Sequence, residues 1–116
     1  MIHVYGIPNC DTVSKSLKWL QAQQAEFVFH NFKVEGPSLE KLHHWEAAVS
    51  WQRLLNKQSS TWRQLLPHQQ LAVKDANSAV LVMQAQNSAI KRPVVEWPNG
   101  DITVGFVATD WEKLLP

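Results

Sequence analysis

The residue whose type and position best suit covalent chemistry is Cys10, the only cysteine in the chain. It follows an apolar stretch and a Gly-Ile-Pro-Asn turn, and it precedes a segment with helical spacing. We therefore expect it in the first turn of a helix. The backbone N–H groups there are unpaired, and they lie at the positive end of the helix macrodipole. Both features favour a thiolate. The same N–H groups can bind a carboxylate or an oxyanion, so the position predicts a nucleophile beside an anion site.

The alternative interpretation of Cys10 is a small apolar side chain that only packs, as lone cysteines commonly do. A junction between a strand and a helix faces the surface, which favours the reactive interpretation. Asp11 disfavours a second negative charge beside the sulfur, whereas Lys15 lies about one turn further along the predicted helix. Because there is no second cysteine, redox chemistry at Cys10 requires a thiol from another molecule.

The composition indicates one domain over residues 1–116, since 45% of the residues are hydrophobic and the length suits a single core. The net charge of +1 and the 18% charged fraction argue against a nucleic-acid partner or a membrane surface. No apolar run approaches the ~20 residues of a membrane span, and no secretory leader opens the chain. Together with the single cysteine, these features predict a cytoplasmic protein.

The five histidines show no spacing that is typical of metal ligands. His43 and His44 are adjacent on a predicted helix, so their side chains diverge by about 100°. His3, His30 and His68 are far apart in the sequence. We expect no metal site.

The first third of the chain predicts a βαβ unit. Ile2–Gly6 is typical of a buried strand, Asp11–Gln23 has an apolar residue at each helical turn, and Glu26–Phe32 is rich in β-favouring residues. A right-handed crossover would make the two strands parallel. Cys10 would then lie at the carboxyl end of the first strand, where open α/β sheets place their sites.

The rest of the chain predicts a helical insertion followed by a ββα unit. The insertion covers about residues 38–90, with a break at Pro67. Pro93–Trp97 and Ile102–Phe106 flank an Asn-Gly pair, which supplies the positive φ angles of a tight hairpin turn. Thr109 opens a capping box and hence a final helix.

Five segments carry a family resemblance that spans nearly the whole chain: YGIPNCDTVSKSLKWL, FVFHNF, SWQRLLNKQSSTWRQL, IKRPVVEWPNG and the closing GF. With them, the sequence resembles the arsenate reductase (ArsC) and Spx family, and most of all its short YffB-type members. The resemblance implies an α/β, thioredoxin-like fold, in which βαβ and ββα units form a mixed four-stranded sheet with a helical insertion.

The resemblance also implies the site. Arg92-Pro93 matches the Arg-Pro of the family, whose proline is normally cis and lies beside the active cysteine. Cys10 and Arg92 would be the catalytic residues, with the guanidinium offering a donor fork to an anion at the sulfur. The expected substrate or anion site comprises Asn9, Asp11, Thr12, Lys15, Asn56, Lys57 and Pro93.

The chain departs from the family's glutaredoxin-coupled arsenate reductases, which use further arginines around the oxyanion. Asn56 and Lys57 stand in the segment that matches one of them, and Gly105 stands where the other is expected. Each missing arginine removes charge-assisted hydrogen bonds worth about 1.5 to 3 kcal/mol. Arsenate is therefore a doubtful substrate.

These points favour a glutathione-dependent thiol reductase that acts as a monomer with one nucleophilic cysteine. It would hold no bound cofactor, use glutathione as co-substrate or glutaredoxin as partner, and act on a small oxidised or electrophilic substrate. The alternative is a non-enzymatic, Spx-like regulator that binds RNA polymerase or another protein. A Cys-x-x-Cys switch is excluded in either case, because the fourth position is Val13.

Overall fold

The computed structural model describes all residues, 1–116, and divides them into two compact units. The sheet unit comprises Met1–Glu35 and Arg92–Pro116 and holds the whole four-stranded sheet. The helical unit comprises Gly36–Lys91, close to the insertion expected over about residues 38–90. None of the helices is both long and apolar enough to cross a bilayer. The single domain over 1–116 stays a prediction.

The elements follow one another as a βαβ unit, a run of helices and a ββα unit. In chain order they are β1 (Ile2–Gly6), α1 (Asp11–Ala22), β2 (Phe27–Asn31), α2 (Leu39–Val49), α3 (Trp51–Leu54), α4 (Ser60–Arg63), α5 (Pro67–Leu71), α6 (Ala76–Ala85), a 3-10 turn (Asn87–Ala89), β3 (Val94–Glu96), β4 (Ile102–Val104) and α7 (Ala108–Leu114).

The strand order β2-β1-β3-β4 confirms the predicted mixed sheet. β1 and β2 are parallel, with Tyr5 opposite His30, whereas β3 is antiparallel to β1, with Tyr5 opposite Val94. β4 is antiparallel to β3, with Val94 opposite Val104. The carboxyl ends of β1, β2 and β4 therefore share one edge of the sheet with the amino end of β3.

One face of the sheet forms a core with α1 and α7. Its buried members are Ile2, Val4, Leu20, Val95, Trp97 and Trp111. The ring of Trp111 meets those of Trp97, Phe106 and Trp19 edge-on, with centroids 5.1, 4.8 and 5.9 Å apart. This geometry suits the quadrupoles of aromatic rings. These tryptophans therefore pack as core residues.

The first turn of α1 approaches the end of β1 closely. A Cβ atom added to Gly6 would lie 2.8 Å from Cγ2 of Val13, whose side chain is fully buried. The hydroxyl of the buried Ser16 donates a hydrogen bond to the carbonyl of Val13 at 2.7 Å. The absence of a side chain at Gly6 thus allows α1 to pack against the strand end that leads to Cys10.

Side chains cap the first turns of helices in the helical unit. The hydroxyl of Ser38 accepts from the amide of Lys41 at 3.1 Å and caps the start of α2. Asp75 caps α6, and hydrogen bonds from the hydroxyl and the amide of Ser78 lower the pKa of the Asp75 carboxyl. Pro67 was expected only to break a helix, yet it is the first residue of α5. Proline suits that position because its missing N–H would be unpaired there anyway.

The hairpin between β3 and β4 is confirmed, but its turn differs from the one predicted. Of the Asn-Gly pair only Gly100 has a positive φ, +95°. The carbonyl of Trp97 accepts from the amide of Gly100 at 2.9 Å, which makes Pro98 the first central residue of the turn. Because proline fixes φ near −65°, it excludes a turn with two positive φ angles, and Asn99 follows with an ordinary φ.

The last helix starts two residues earlier than the capping box predicted. Val107 is the N-cap of α7 and no side chain caps the helix, so the proposed role of Thr109 was wrong. Thr109 is exposed, whereas Trp111 is only 1% exposed. The helix is held in the core by its tryptophan and not by a cap.

Replacing Gly6 with alanine is expected to lower the free energy of unfolding by about 1 to 3 kcal/mol, because the new methyl group overlaps Val13. Val13 is β-branched and buried, so it has no alternative rotamer in which to move away. Urea denaturation of Gly6→Ala measures the loss. In a Val13→Ala background the same change should cost less, and an equal cost in both backgrounds would contradict the proposed overlap.

Candidate functional site

Cys10 is the N-cap of α1, one residue before the first turn in which the sequence placed it. Its φ and ψ are −120° and 122°, and its carbonyl accepts from the amide of Ser14 at 2.8 Å. The side chain makes no capping hydrogen bond, and the thiol is free and half-exposed. The sulfur therefore lies at the amino end of a three-turn helix without being used to cap it.

Four of the predicted anion-binding residues surround Cys10 in the sequence and are all exposed: Asn9, Asp11, Thr12 and Lys15. Asn9 belongs to the turn that leads into α1, and Asp11 is the acidic residue of the first helical turn. A carboxylate there stabilises the helix but opposes a second anion at the same place. Lys15 is the positive charge that α1 itself offers near this end.

The start of β3 lies at the same edge of the sheet as the loop that carries Cys10. The pairing of Tyr5 with Val94 places Pro93 beside Gly6, where β1 ends. The Arg92-Pro93 peptide bond is cis, as the family resemblance implied, and Pro93 is buried. Arg92 is half-buried and interacts with other parts of the chain, so it is not a freely solvated charge.

Asn56 belongs to the helical unit, and its hydrogen bonds are those of a loop-forming residue. Its amide donates to the carbonyl of Ala89 at 2.7 Å. Its side-chain oxygen accepts from the amide of Gln58 at 3.0 Å, and its carbonyl accepts from the hydroxyl of Ser59 at 2.7 Å. These bonds fix the loop between α3 and α4 as an Asx turn does.

Lys57, next in the chain, has its ammonium group over two tryptophan rings. The Nζ atom lies 5.9 Å from the ring centroid of Trp51 and 5.5 Å from that of Trp62, within the range of cation–π attraction. An open pocket of about 370 Å³ beside it is lined by Lys57 with two further cations, Arg53 and Lys91, and by no carboxylate. This pocket is suited to an anion.

Sequence reasoning missed Arg53 and Lys91 as members of this pocket. They join it because the amide of Lys91 donates to the carbonyl of Leu54 at 2.8 Å, which brings the end of the insertion next to α3. No local sequence pattern predicts a backbone hydrogen bond between residues so far apart in the sequence. The predicted site residues thus fall into two sets: Asn56 and Lys57 in the helical unit, and the others in the sheet unit.

The comparisons with known proteins agree with this fold. A solved structure of a protein named YffB is 37% identical, with both chains fully covered and a TM-score of 0.94. An arsenate reductase (ArsC) related protein from Brucella melitensis is 39% identical over 97% of this chain and 92% of that chain, with a TM-score of 0.75. An uncharacterized protein of Haemophilus influenzae is 38% identical over 97% of this chain and 96% of its own length.

The order of the strands and the cysteine at the strand–helix junction are those of a thioredoxin-like fold of the arsenate reductase-like type. The ArsC family model matches residues 5–114, nearly the whole chain. The chain belongs to the ArsC family.

Replacing Asn56 with alanine is expected to lower the free energy of unfolding by about 1 kcal/mol, because the amide of Gln58 loses its acceptor. Asn56→Asp keeps an acceptor at the same place and should cost clearly less. Chemical denaturation of the two variants makes the comparison. Equal losses would show that the side-chain oxygen of Asn56 does not hold the loop.

Proposed function

We propose that this protein is a glutathione-linked thiol reductase in which Cys10 is the nucleophile. The observation that carries the proposal is the position of Cys10: its thiol is free and half-exposed, and it stands at the N-cap of α1 without capping the helix. Amides at a helix start favour a thiolate over a thiol and an anion over a neutral group. Membership of the ArsC family supports the same chemistry.

The proposed reaction is the reduction of a mixed disulfide between glutathione and a small thiol. The Cys10 thiolate attacks the glutathionyl sulfur, the disulfide bond of the substrate breaks, and the small thiol leaves and takes up a proton. A second glutathione thiolate then attacks the Cys10–glutathione disulfide. Oxidised glutathione leaves and the Cys10 thiolate is restored, so the substrate gains the electrons that glutathione loses.

An external thiol is essential to this cycle because the chain has one cysteine. No internal thiol is available to resolve the mixed disulfide, so glutathione itself, or a glutaredoxin, takes that part. This distinguishes the proposed cycle from that of a Cys-x-x-Cys protein, which closes an internal disulfide.

Arg92 and Lys15 supply the positive charge of the proposed site. Glutathione carries carboxylates, and a carboxylate or substrate oxyanion between Arg92 and the first amides of α1 would bring the glutathione sulfur to Cys10. The planar guanidinium offers parallel donors that an ammonium lacks. Asp11 opposes the anion, so the site depends on these cations to offset that carboxylate.

The Cys10→Ser variant is expected to lose turnover of a glutathione mixed disulfide completely, because a serine hydroxyl neither attacks nor leaves as a thiolate. Oxidised glutathione formation, followed with a coupled reductase, measures the rate. The melting temperature of the variant controls for folding. Turnover retained in Cys10→Ser would remove Cys10 from the mechanism, and no turnover in the unaltered protein would favour a non-enzymatic binding role.

Arg92→Ala is expected to slow formation of the Cys10–glutathione disulfide by about tenfold or more, the equivalent of ~1.4 kcal/mol of transition-state stabilisation, and Arg92→Lys is expected to slow it less, yet measurably. Lysine keeps the charge but loses the donor fork. Stopped-flow measurement with oxidised glutathione gives the rate. Arg63→Lys is the matched control, since Arg63 is exposed on α4 and plays no part in the proposed site. Equal rates in Arg92→Lys and Arg63→Lys would exclude a bidentate role for Arg92.

Arsenate reduction is expected to be weak or absent. Asn56 and Gly105 offer no guanidinium at the positions where the family's arsenate enzymes carry arginine, and the Asn56 side-chain oxygen is bonded to its own loop. Arsenate turnover with glutathione and glutaredoxin should therefore fall far below mixed-disulfide turnover by the same preparation. Comparable rates with the two substrates would show that the missing arginines are unnecessary.

A further inference from the structure

A pair of histidines lies on the face of the sheet opposite the α1–α7 core. His3 on β1 and His30 on β2 belong to neighbouring parallel strands. His30 is opposite Tyr5, and Tyr5 is two residues after His3 on β1. Successive side chains of a strand point to opposite faces, so His3 and Tyr5 share a face that excludes the core residues Ile2 and Val4. The Nδ1 atom of His3 lies 2.9 Å from the Nε2 atom of His30.

The second nitrogen of His30 fixes the arrangement of protons in the pair. Nδ1 of His30 lies 3.2 Å from Oε1 of Glu35, a carboxylate oxygen that can only accept. We assign the proton of neutral His30 to Nδ1, which leaves the lone pair of Nε2 directed at His3. The phenol ring of Tyr5 stacks on His30 with centroids 4.3 Å apart and holds the plane of the imidazole.

We propose, against the expectation drawn from histidine spacing in the sequence, that His3 and His30 form a two-histidine binding site for a divalent transition-metal ion of the zinc type. None of these residues takes part in the proposed reductase chemistry, so the two proposals are tested independently. Imidazole nitrogens prefer zinc, copper and nickel over magnesium and calcium, which sets the class of ion.

The geometry of the pair is close to that of two ligands on one metal. With metal–nitrogen bonds of about 2.0 to 2.1 Å, two nitrogens on a tetrahedral ion are about 3.3 Å apart. The observed 2.9 Å thus needs the two nitrogens to part by about half an ångström and both rings to turn, so that their lone pairs converge on the ion and no longer point at each other. His3 must move its proton from Nδ1 to Nε2, which is a change of tautomer without a change of charge.

Glu35 takes the place that a carboxylate has in carboxylate–histidine–metal arrangements. Such a partner fixes the tautomer of the ligating histidine and raises its basicity, and its loss commonly costs 10- to 100-fold in affinity. Glu35 is therefore proposed as a positioning residue. No group of three or more histidine, cysteine, aspartate or glutamate side chains suits a metal anywhere in the chain. The remaining positions on the ion would be filled by water or by an incoming ligand.

The experiment is a calorimetric titration of the full chain with Zn²⁺, in a Cys10→Ser background that removes thiolate binding. We expect one ion per chain, with affinity lowered at least tenfold in His3→Gln and in His30→Gln, and about tenfold in Glu35→Gln. His68→Gln is the matched control, because His68 is exposed on α5 and should leave the affinity unchanged. Mg²⁺ should give no heat of binding.

A second measurement avoids variants that fold poorly. Modification of histidines by diethylpyrocarbonate, located by peptide mass spectrometry, should be slowed at His3 and His30 when Zn²⁺ is added to the unaltered protein, and unchanged at His68. Protection of other histidines only, or none, would overturn the proposal. So would binding that is lost in His3→Gln but kept in His30→Gln, because the ion would then be held by His3 with the amino terminus.

Discussion

The close approach of Gly6 to Val13 is the constraint on which the proposed site depends. Gly6 ends β1 and Val13 lies in the first turn of α1, so their contact sets the path of the short loop between them. The loop ends at Cys10, which the contact holds at the start of the helix and at the edge of the sheet. Burial of Val13 and Leu20 against the sheet fixes the rest of α1.

This contact fixes the position of Cys10 and does not by itself form a binding pocket. The sulfur of Cys10 is at a helix start, where backbone dipoles favour a negative charge, and the residue is half-exposed. The chain provides no resolving cysteine, so the electrons of the proposed reaction come from outside. The cations proposed to bind the anion are few, which is consistent with the proposed thiol partner, whose carboxylates need one or two contacts and not a closed oxyanion cage.

Local patterns in the sequence predicted the elements that carry Cys10, because strand and helix periodicities are set by neighbouring residues. The errors arose where a local pattern did not decide the structure. Pro98 changed the turn that the Asn-Gly pair predicted, and α7 begins before Thr109 with Val107 as its N-cap and no side-chain cap. The contact of His3 with His30 was beyond such reasoning altogether, because it depends on the register of two parallel strands.

The most direct test of the central claim is the intact mass of the protein after incubation with oxidised glutathione at neutral pH. We expect the chain to gain one glutathionyl group, peptide mapping to place that group on Cys10, and reduced glutathione in excess to remove it. A chain that stays unmodified while folded would exclude Cys10 as the nucleophile, since a thiol that does not exchange with glutathione disulfide cannot carry the proposed cycle.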